Sequence, residues 1–181
     1  MKKILLFTCL LFFILNSLAQ DAAAFNQKGV RQANRGNYEK AKKLFSQAIG
    51  LDEFFTDAYY NRALAHSKLK EYEEAITDYN KAIQLRPHFA KAYNNRGADR
   101  NELNDPDGAI ADYTRAIELD TEYARAYYNR GIVQLRLNEY EKAITDFTRA
   151  IRLKPGFKEA IINRDIAKRR SEAGDKDNTG L

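Results

Sequence analysis

From Ala22 onward, the apolar positions keep a helical spacing that restarts every 34 residues. Tyr59-Tyr60-Asn61-Arg62-Ala63 returns as Tyr93-Asn94-Asn95-Arg96-Gly97 and again as Tyr127-Tyr128-Asn129-Arg130-Gly131. Ala75-Ile76, Ala109-Ile110 and Ala143-Ile144 keep the interval, and so do Ala82-Ile83, Ala116-Ile117 and Ala150-Ile151. Phe25, Gly29, Tyr38, Ala41, Phe45 and Ala48-Ile49 hold the same offsets earlier in the chain. Self-similarity at this period marks a stacked-repeat architecture. It divides the chain into four units, 22–55, 56–89, 90–123 and 124–157, with a partial fifth from Lys158.

Numbered from 1, each unit predicts two helices. In the first helix, positions 4, 7, 8 and 11 share one face and positions 2, 5, 6, 9 and 13 the opposite one. Positions 20, 21, 24, 27 and 28 form the apolar arc of the second helix. Position 8 is Gly29, Ala63, Gly97 or Gly131, and positions 20 and 27 are Ala in every unit, so the two helices approach closely. A bulky side chain at Ala75 or Ala109 would overpack that contact at a cost of about 1–3 kcal/mol. Pro87 and Pro155 stand just past second helices, where proline stops a helix. Asp105-Pro106 reads as an N-cap with proline at the first helical position.

At these residues the chain resembles the tetratricopeptide repeat family, in its exported bacterial form, over 22–157 and on into 158–170. The resemblance implies an all-α fold: a right-handed α-solenoid of helix–turn–helix repeats with a C-terminal capping helix. The chain departs from the family pattern at position 7, where Lys28, Arg62, Arg96 and Arg130 replace the usual Leu. It departs again at position 11, where Gln32, His66, Arg100 and Gln134 replace the usual Tyr, and at Thr121, which replaces a proline. Residues 158–170 repeat the first helix only, with Ile161, Ile162, Asn163, Arg164 and Ile166 in register and Asp165 in place of the small residue. Such a polar helix caps a solenoid's end. Residues 171–181 are expected to form a short disordered tail.

Composition changes the picture mainly at the N-terminus. Met1-Lys2-Lys3 precedes twelve uncharged residues, Ile4 to Leu15, and Ser17 and Ala19 are the small residues of a cut after Ala19. That order is a secretory signal peptide over 1–19. Twelve residues at about 1.5 Å of rise reach roughly 18 Å, short of a hydrocarbon core of about 30 Å. No transmembrane span is expected after cleavage, and the mature chain is expected in the periplasm, in the cell envelope or secreted. Cys9, the one cysteine, lies inside the apolar run, and Leu6-Phe7-Thr8 lacks the small residue of a lipid-attachment site. It leaves with the leader, as do Met1 and two of the five net positive charges. Packing alone must then hold the exported chain together.

Candidate chemistry is sparse. His66 and His88 lie 22 residues apart in different repeat positions, which is neither a metal spacing nor an acid–base pair. Past the leader, Ser46, Ser67 and Ser171 lack a Gly-x-Ser-x-Gly context, and no Gly-rich phosphate loop occurs. No catalysis, metal or cofactor is expected. The position-7 arginines fall on the packing face, where an unpaired charge is expensive. Position 23 offers Asp78, Asp112 and Asp146, and the first unit changes both positions together, to Lys28 and Leu44. A structural Arg–Asp ladder follows, either within a unit (Arg62–Asp78) or to the next (Asp78–Arg96).

The opposite face carries the candidate site. Position 6 is Asn61, Asn95, Asn129 and Asn163, with Gln27 in the first unit. An amide both donates and accepts, so a row of them can grip a peptide backbone whatever its side chains. Helix propensity gives no reason for Asn there; the bland alternative is that it only caps or solvates a turn. Similar asparagine rows in the family hold extended peptides, which the resemblance implies here. Position 5 adds Tyr60 and Tyr128 as flat contacts, position 2 adds Lys91 and Arg125, and position 9 supplies an apolar floor of Val30, Leu64, Ala98 and Ile132. The family's carboxylate-clamp subtype is not expected, since only Asn61 and Lys91 match it. The capping helix sets Lys158, Arg164, Lys168, Arg169 and Arg170 against Glu159 and Asp165, a weak case for an anionic surface. The expected partner is a protein or peptide rather than nucleic acid. It is an extended segment, or a helix, of another envelope protein, held in the concave groove of a non-enzymatic scaffold. The rival reading is a structural or self-assembling envelope module that forms a homo-oligomer.

Overall fold

A computed structural model describes the backbone of residues 2–178 and the side chains of residues 18–173. The side chains of residues 1–17, which carry most of the expected signal peptide, those of residues 174–178, and residues 179–181 lie outside the described residues. Among the described residues there are nine helices and no strand. They are α1 (Lys2–Asn34), α2 (Tyr38–Leu51), α3 (Thr56–Lys68), α4 (Tyr72–Leu85), α5 (Ala90–Glu102), α6 (Pro106–Leu119), α7 (Ala124–Arg136), α8 (Tyr140–Leu153) and α9 (Lys158–Asn178). The fold is all-α. None of these helices is long and apolar enough to cross a membrane in its described part.

The chain forms two compact units, Met1–Pro87 and His88–Leu181. In the first, α1 pairs with α2 and α3 with α4, while α2 packs on α3 and α1 touches α3. The second repeats the scheme with α5–α6 and α7–α8, and α9 lies against α8 and α7. Every alanine at positions 20 and 27 is fully buried, and the ring at position 24 (Phe45, Tyr79, Tyr113 or Phe147) fills each hairpin. The small residue at position 8 lies beneath that ring. A Cβ placed on Gly131 would sit 2.8 Å from Phe147 Cε1, and one on Gly29 2.5 Å from Phe45 Cε1.

The turn between paired helices has a local cause that is the same in all four repeats. Position 15 adopts a left-handed conformation, at Gly36 (φ 80°), Lys70 (63°), Asn104 (60°) and Asn138 (62°). The next amide then reaches back five residues, from Asn37 to the Gln32 carbonyl at 3.0 Å and from Glu139 to that of Gln134 at 2.8 Å. This closure satisfies carbonyls left over at a helix end. Gly36 adopts the positive φ without strain, asparagine tolerates it, and Lys70 does so against a preference of about 1–2 kcal/mol. Asp105 caps α6 as expected, its carboxylate accepting from the Gly108 amide at 2.9 Å with Pro106 in the first turn.

One expectation is corrected at the C-terminus. Helix α9 continues past Arg170 to Asn178, through residues expected to be a disordered tail. The Ser171 hydroxyl bonds the Glu141 carboxylate on α8, and Glu172, Ala173 and Lys176 suit a helix interior. Polarity alone therefore did not end the helix.

Candidate peptide-binding face

Two polar rows run along the first helices, and they are built differently. The row on the packing side is a seam of ion pairs within each repeat. Arg62 donates through Nε and Nη2 to the two carboxylate oxygens of Asp78, both at 2.7 Å. Arg96 meets Asp112 at 2.9 and 2.5 Å, and Arg130 meets Asp146 at 2.7 and 2.9 Å. Of the two arrangements open from sequence, the structure shows the within-repeat one. The aspartates are 3–4% exposed, and the forked geometry is the strong form of this contact. The hydrogen bond to Asp78 raises the Arg62 guanidinium above its ordinary value, and the bond to Asp146 does the same for Arg130, in both cases against the effect of burial. The remaining arm of the fork reaches the preceding repeat: Arg62 Nη1 donates to Ser46 Oγ and Arg130 Nη1 to Thr114 Oγ1, each at 2.9 Å.

Position 11, where the chain departs from its family's tyrosine, extends this seam. Arg100 Nη1 donates to Asp112 at 2.9 Å. His66 Nδ1 lies 2.7 Å from Glu71 Oε2, which also accepts from Lys42 Nζ at 2.6 Å. The hydrogen bonds from Lys42 and His66 hold the Glu71 carboxyl below the usual carboxylate range. Gln134 is buried, and its Oε1 has no partner among the described residues.

Within each compact unit the asparagine row links one repeat to the next. Asn61 Nδ2 donates to Asn26 Oδ1 at 3.0 Å, Asn129 Nδ2 to Asn94 Oδ1 at 2.9 Å, and Asn163 Nδ2 to the Tyr128 hydroxyl at 3.2 Å. In each case position 6 bonds position 5 of the preceding repeat. Asn94 Nδ2 in turn donates to Asn95 Oδ1 at 3.0 Å. Asn61 and Asn129 thus keep their carbonyl oxygen and a second N–H, with the amide plane already fixed by a neighbour.

The flanking residues separate. Lys91 and Arg125 are exposed, while Asn95 and Tyr60 are half-buried, with the Tyr60 ring tilted on Tyr79 at 6.0 Å. Tyr128 packs between Phe147 at 5.9 Å and Phe157 at 4.7 Å, and burial pushes its phenol up. The ring is thus partly packed, while it also lines the hollow beside Asn129. Sequence reasoning missed the amide pairing itself, although the signal was present: Asn26 and Asn61, Asn94 and Asn129, and Tyr128 and Asn163 are all 35 residues apart. Among the described residues no group of three or more His, Cys, Asp or Glu could hold a metal ion.

Profiles described as "Tetratricopeptide repeat" match residues 22–55, 56–89 and 124–157, and one described as "TPR repeat" matches 100–138. Together they take in well over half of the chain. The chain belongs to the tetratricopeptide repeat family. Among solved tetratricopeptide structures, that of MamA aligns with 87% of this chain and 86% of its own, at a TM-score of 0.78 and 24% identity, a likeness of fold alone. The first tetratricopeptide domain of Spaghetti (RPAP3), solved with the HSP90 peptide SRMEEVD, aligns with 66% of this chain and 94% of its own, at a TM-score of 0.65 and 29% identity. An uncharacterized protein of Methanocaldococcus jannaschii is 46% identical over 44 residues, 24% of this chain. The chain spans about half the length of that curated relative, 51%.

Proposed function

We propose that this tetratricopeptide chain is a non-catalytic scaffold of the cell envelope that holds an extended segment of a partner protein along its first-helix face. The observation that carries the reading is the half-committed amide row. Asn61 and Asn129 each give one N–H to the preceding repeat and present the rest of a pre-oriented amide to the face. Pre-orientation lowers the ordering cost of binding. The peptide-bound relative supports the class of ligand. Export is supported by Lys2-Lys3, the uncharged run that follows and the small residues before the cut after Ala19. Lys91 and Arg125, exposed beside the row, would select among partner side chains.

The test is capture of envelope proteins on the immobilised chain, compared with Asn95→Ala plus Asn129→Ala. Loss of specific capture with only a small fall in melting temperature is the expected result; undiminished capture by the double variant would sink the groove reading. A second reading, self-assembly through the C-terminal helix, is favoured by Ile162, which is 59% exposed on α9. Light scattering on the purified chain and on Ile162→Lys separates the two.

A further inference from the structure

Within the first compact unit, α1 and α3 enclose a hollow of about 240 Å³. Val30, Ala33, Phe45, Leu64 and Ala65 make its walls apolar, and Asn61 of the amide row is also part of the lining. Phe45 and Ala65 are core residues, each 1% exposed, so the floor is rigid. An apolar cavity of about 150 Å³ is enough to hold benzene. The hollow therefore suits one aromatic or large aliphatic side chain. Lys68, at position 13, completes the lining from an exposed site and makes no ion pair among the described residues.

The second unit supplies an internal comparison. Its α5 and α7 enclose a hollow of about 240 Å³ between Ala98, Tyr113 and Ile132, with Asn129 taking the place of Asn61. Glu102 in that lining stands on α5 where the first hollow has Asn34 on α1. The residue equivalent to Lys68 is Arg136 on α7, which lies outside the lining and donates to Asn101 Oδ1 at 2.8 Å. The walls are alike and both units place a cation at position 13 of the later helix. Arg136 is bonded to Asn101, whereas Lys68 has no side-chain partner among the described residues. A cation that the fold leaves without a partner is available for selecting one ligand over another.

We propose that the α1–α3 hollow is a specificity pocket for an aromatic or large aliphatic side chain that has an Asp or Glu within two residues. The proposal rests on the groove reading above and names the partner's chemistry. The apolar side chain fills the hollow, Asn61 bonds the adjoining backbone, and Lys68 pairs with the acid at the rim. An exposed ion pair of this kind contributes up to about fivefold in affinity.

A random dodecapeptide display library selected on the full chain tests it. The expected peptides carry an aromatic or large aliphatic residue with Asp or Glu within two positions. Selection on Lys68→Glu keeps the apolar preference and exchanges the acid for Lys or Arg. A fluorescein-labelled peptide of the winning sequence binds up to about fivefold more weakly to Lys68→Glu and loses its apolar preference on Leu64→Ala. The melting temperature of Lys68→Glu stays at the parent value, because the side chain is exposed. An acidic preference that survives Lys68→Glu overturns the proposal. If selected peptides ignore Lys68→Glu and Leu64→Ala yet are lost on Asn129→Ala, the pocket fails and the groove reading stands; if nothing is enriched, both fall.

Discussion

The guanidinium–carboxylate seam and the asparagine row sit on opposite faces of the same helices and recur with the same period, yet they do opposite work. In the seam, each arginine is bound by two bonds to a buried aspartate of its own repeat, and for Arg62 and Arg130 a hydroxyl of the preceding repeat takes the third arm. In the row, Asn61 and Asn129 each give one bond to the preceding repeat and keep the rest of the amide open. Periodicity alone therefore does not distinguish a structural polar row from a binding one. What separates them is how much of each group's bonding capacity the fold has already used.

The largest effect should come from breaking the seam on one side. Asp146→Ala leaves Arg130 without its counter-ion and should cost roughly 3 kcal/mol, the low end for a broken buried pair, because 19% of the Arg130 side chain still meets water. Thermal unfolding of the full chain measures it. Replacing both partners, Arg130→Leu with Asp146→Leu, should recover most of that loss, since the family carries Leu at position 7 and the first repeat carries Leu44 at position 23. A double variant no better than the single one would show that the pair is not the unit of stability. Next in size is the packing beside the seam. Gly131→Val would push side-chain atoms into the Phe147 ring and should cost about 1–3 kcal/mol in the same assay.

Much of this was readable in the chain. The 34-residue period gave the helix pairs, the alanine contacts and the small residue at position 8, because those features depend on local spacing and side-chain size. The correlated change at Lys28 and Leu44 pointed to the partner position of each arginine, but sequence left open whether the pair lay within a repeat or between repeats; only side-chain reach decides that. The asparagine row was visible as a row, while its bonds were not, because they join positions 35 residues apart, one step off the repeat. For Tyr128 the sequence left open whether the ring is a contact or partly packed. Position 5 faces outward on a lone helix, and here Phe157, from the end of the same repeat, packs against it. The left-handed position 15 also went unread, although Gly36, Asn104 and Asn138 carry its mark.

A smaller effect sharpens the contrast from the other row. Asn129→Ala removes one hydrogen bond to Asn94 and should cost about 1 kcal/mol of stability, well below the seam variant. Its larger consequence should be on binding of a selected peptide, measured by fluorescence polarisation. If stability falls as far as in Asp146→Ala, the row is a structural element of the same rank and the contrast breaks.

The smallest effect lies where the first unit's seam extends toward the surface. Glu71 faces Lys42 and His66; His66 Nε2 in turn lies 3.8 Å from Asp78, and Lys42 Nζ lies 3.4 Å from Glu39. The bonds from Lys42 and His66 hold the Glu71 carboxyl below its usual range in the folded chain. A carboxyl lowered in this way binds its proton less readily folded than unfolded. Its stabilising contribution is therefore present above the usual carboxylate range and is lost as pH falls toward the folded value. Glu71→Gln should lower the melting temperature at neutral pH, and the gap to the parent chain should close as pH falls below the usual carboxylate range. The same gap should narrow in high salt at neutral pH, because the pair is partly exposed. A gap that persists unchanged into acid would mean that the glutamate acts through its hydrogen-bonding shape rather than its charge. In that case this branch would resemble the amide row more than the seam it extends.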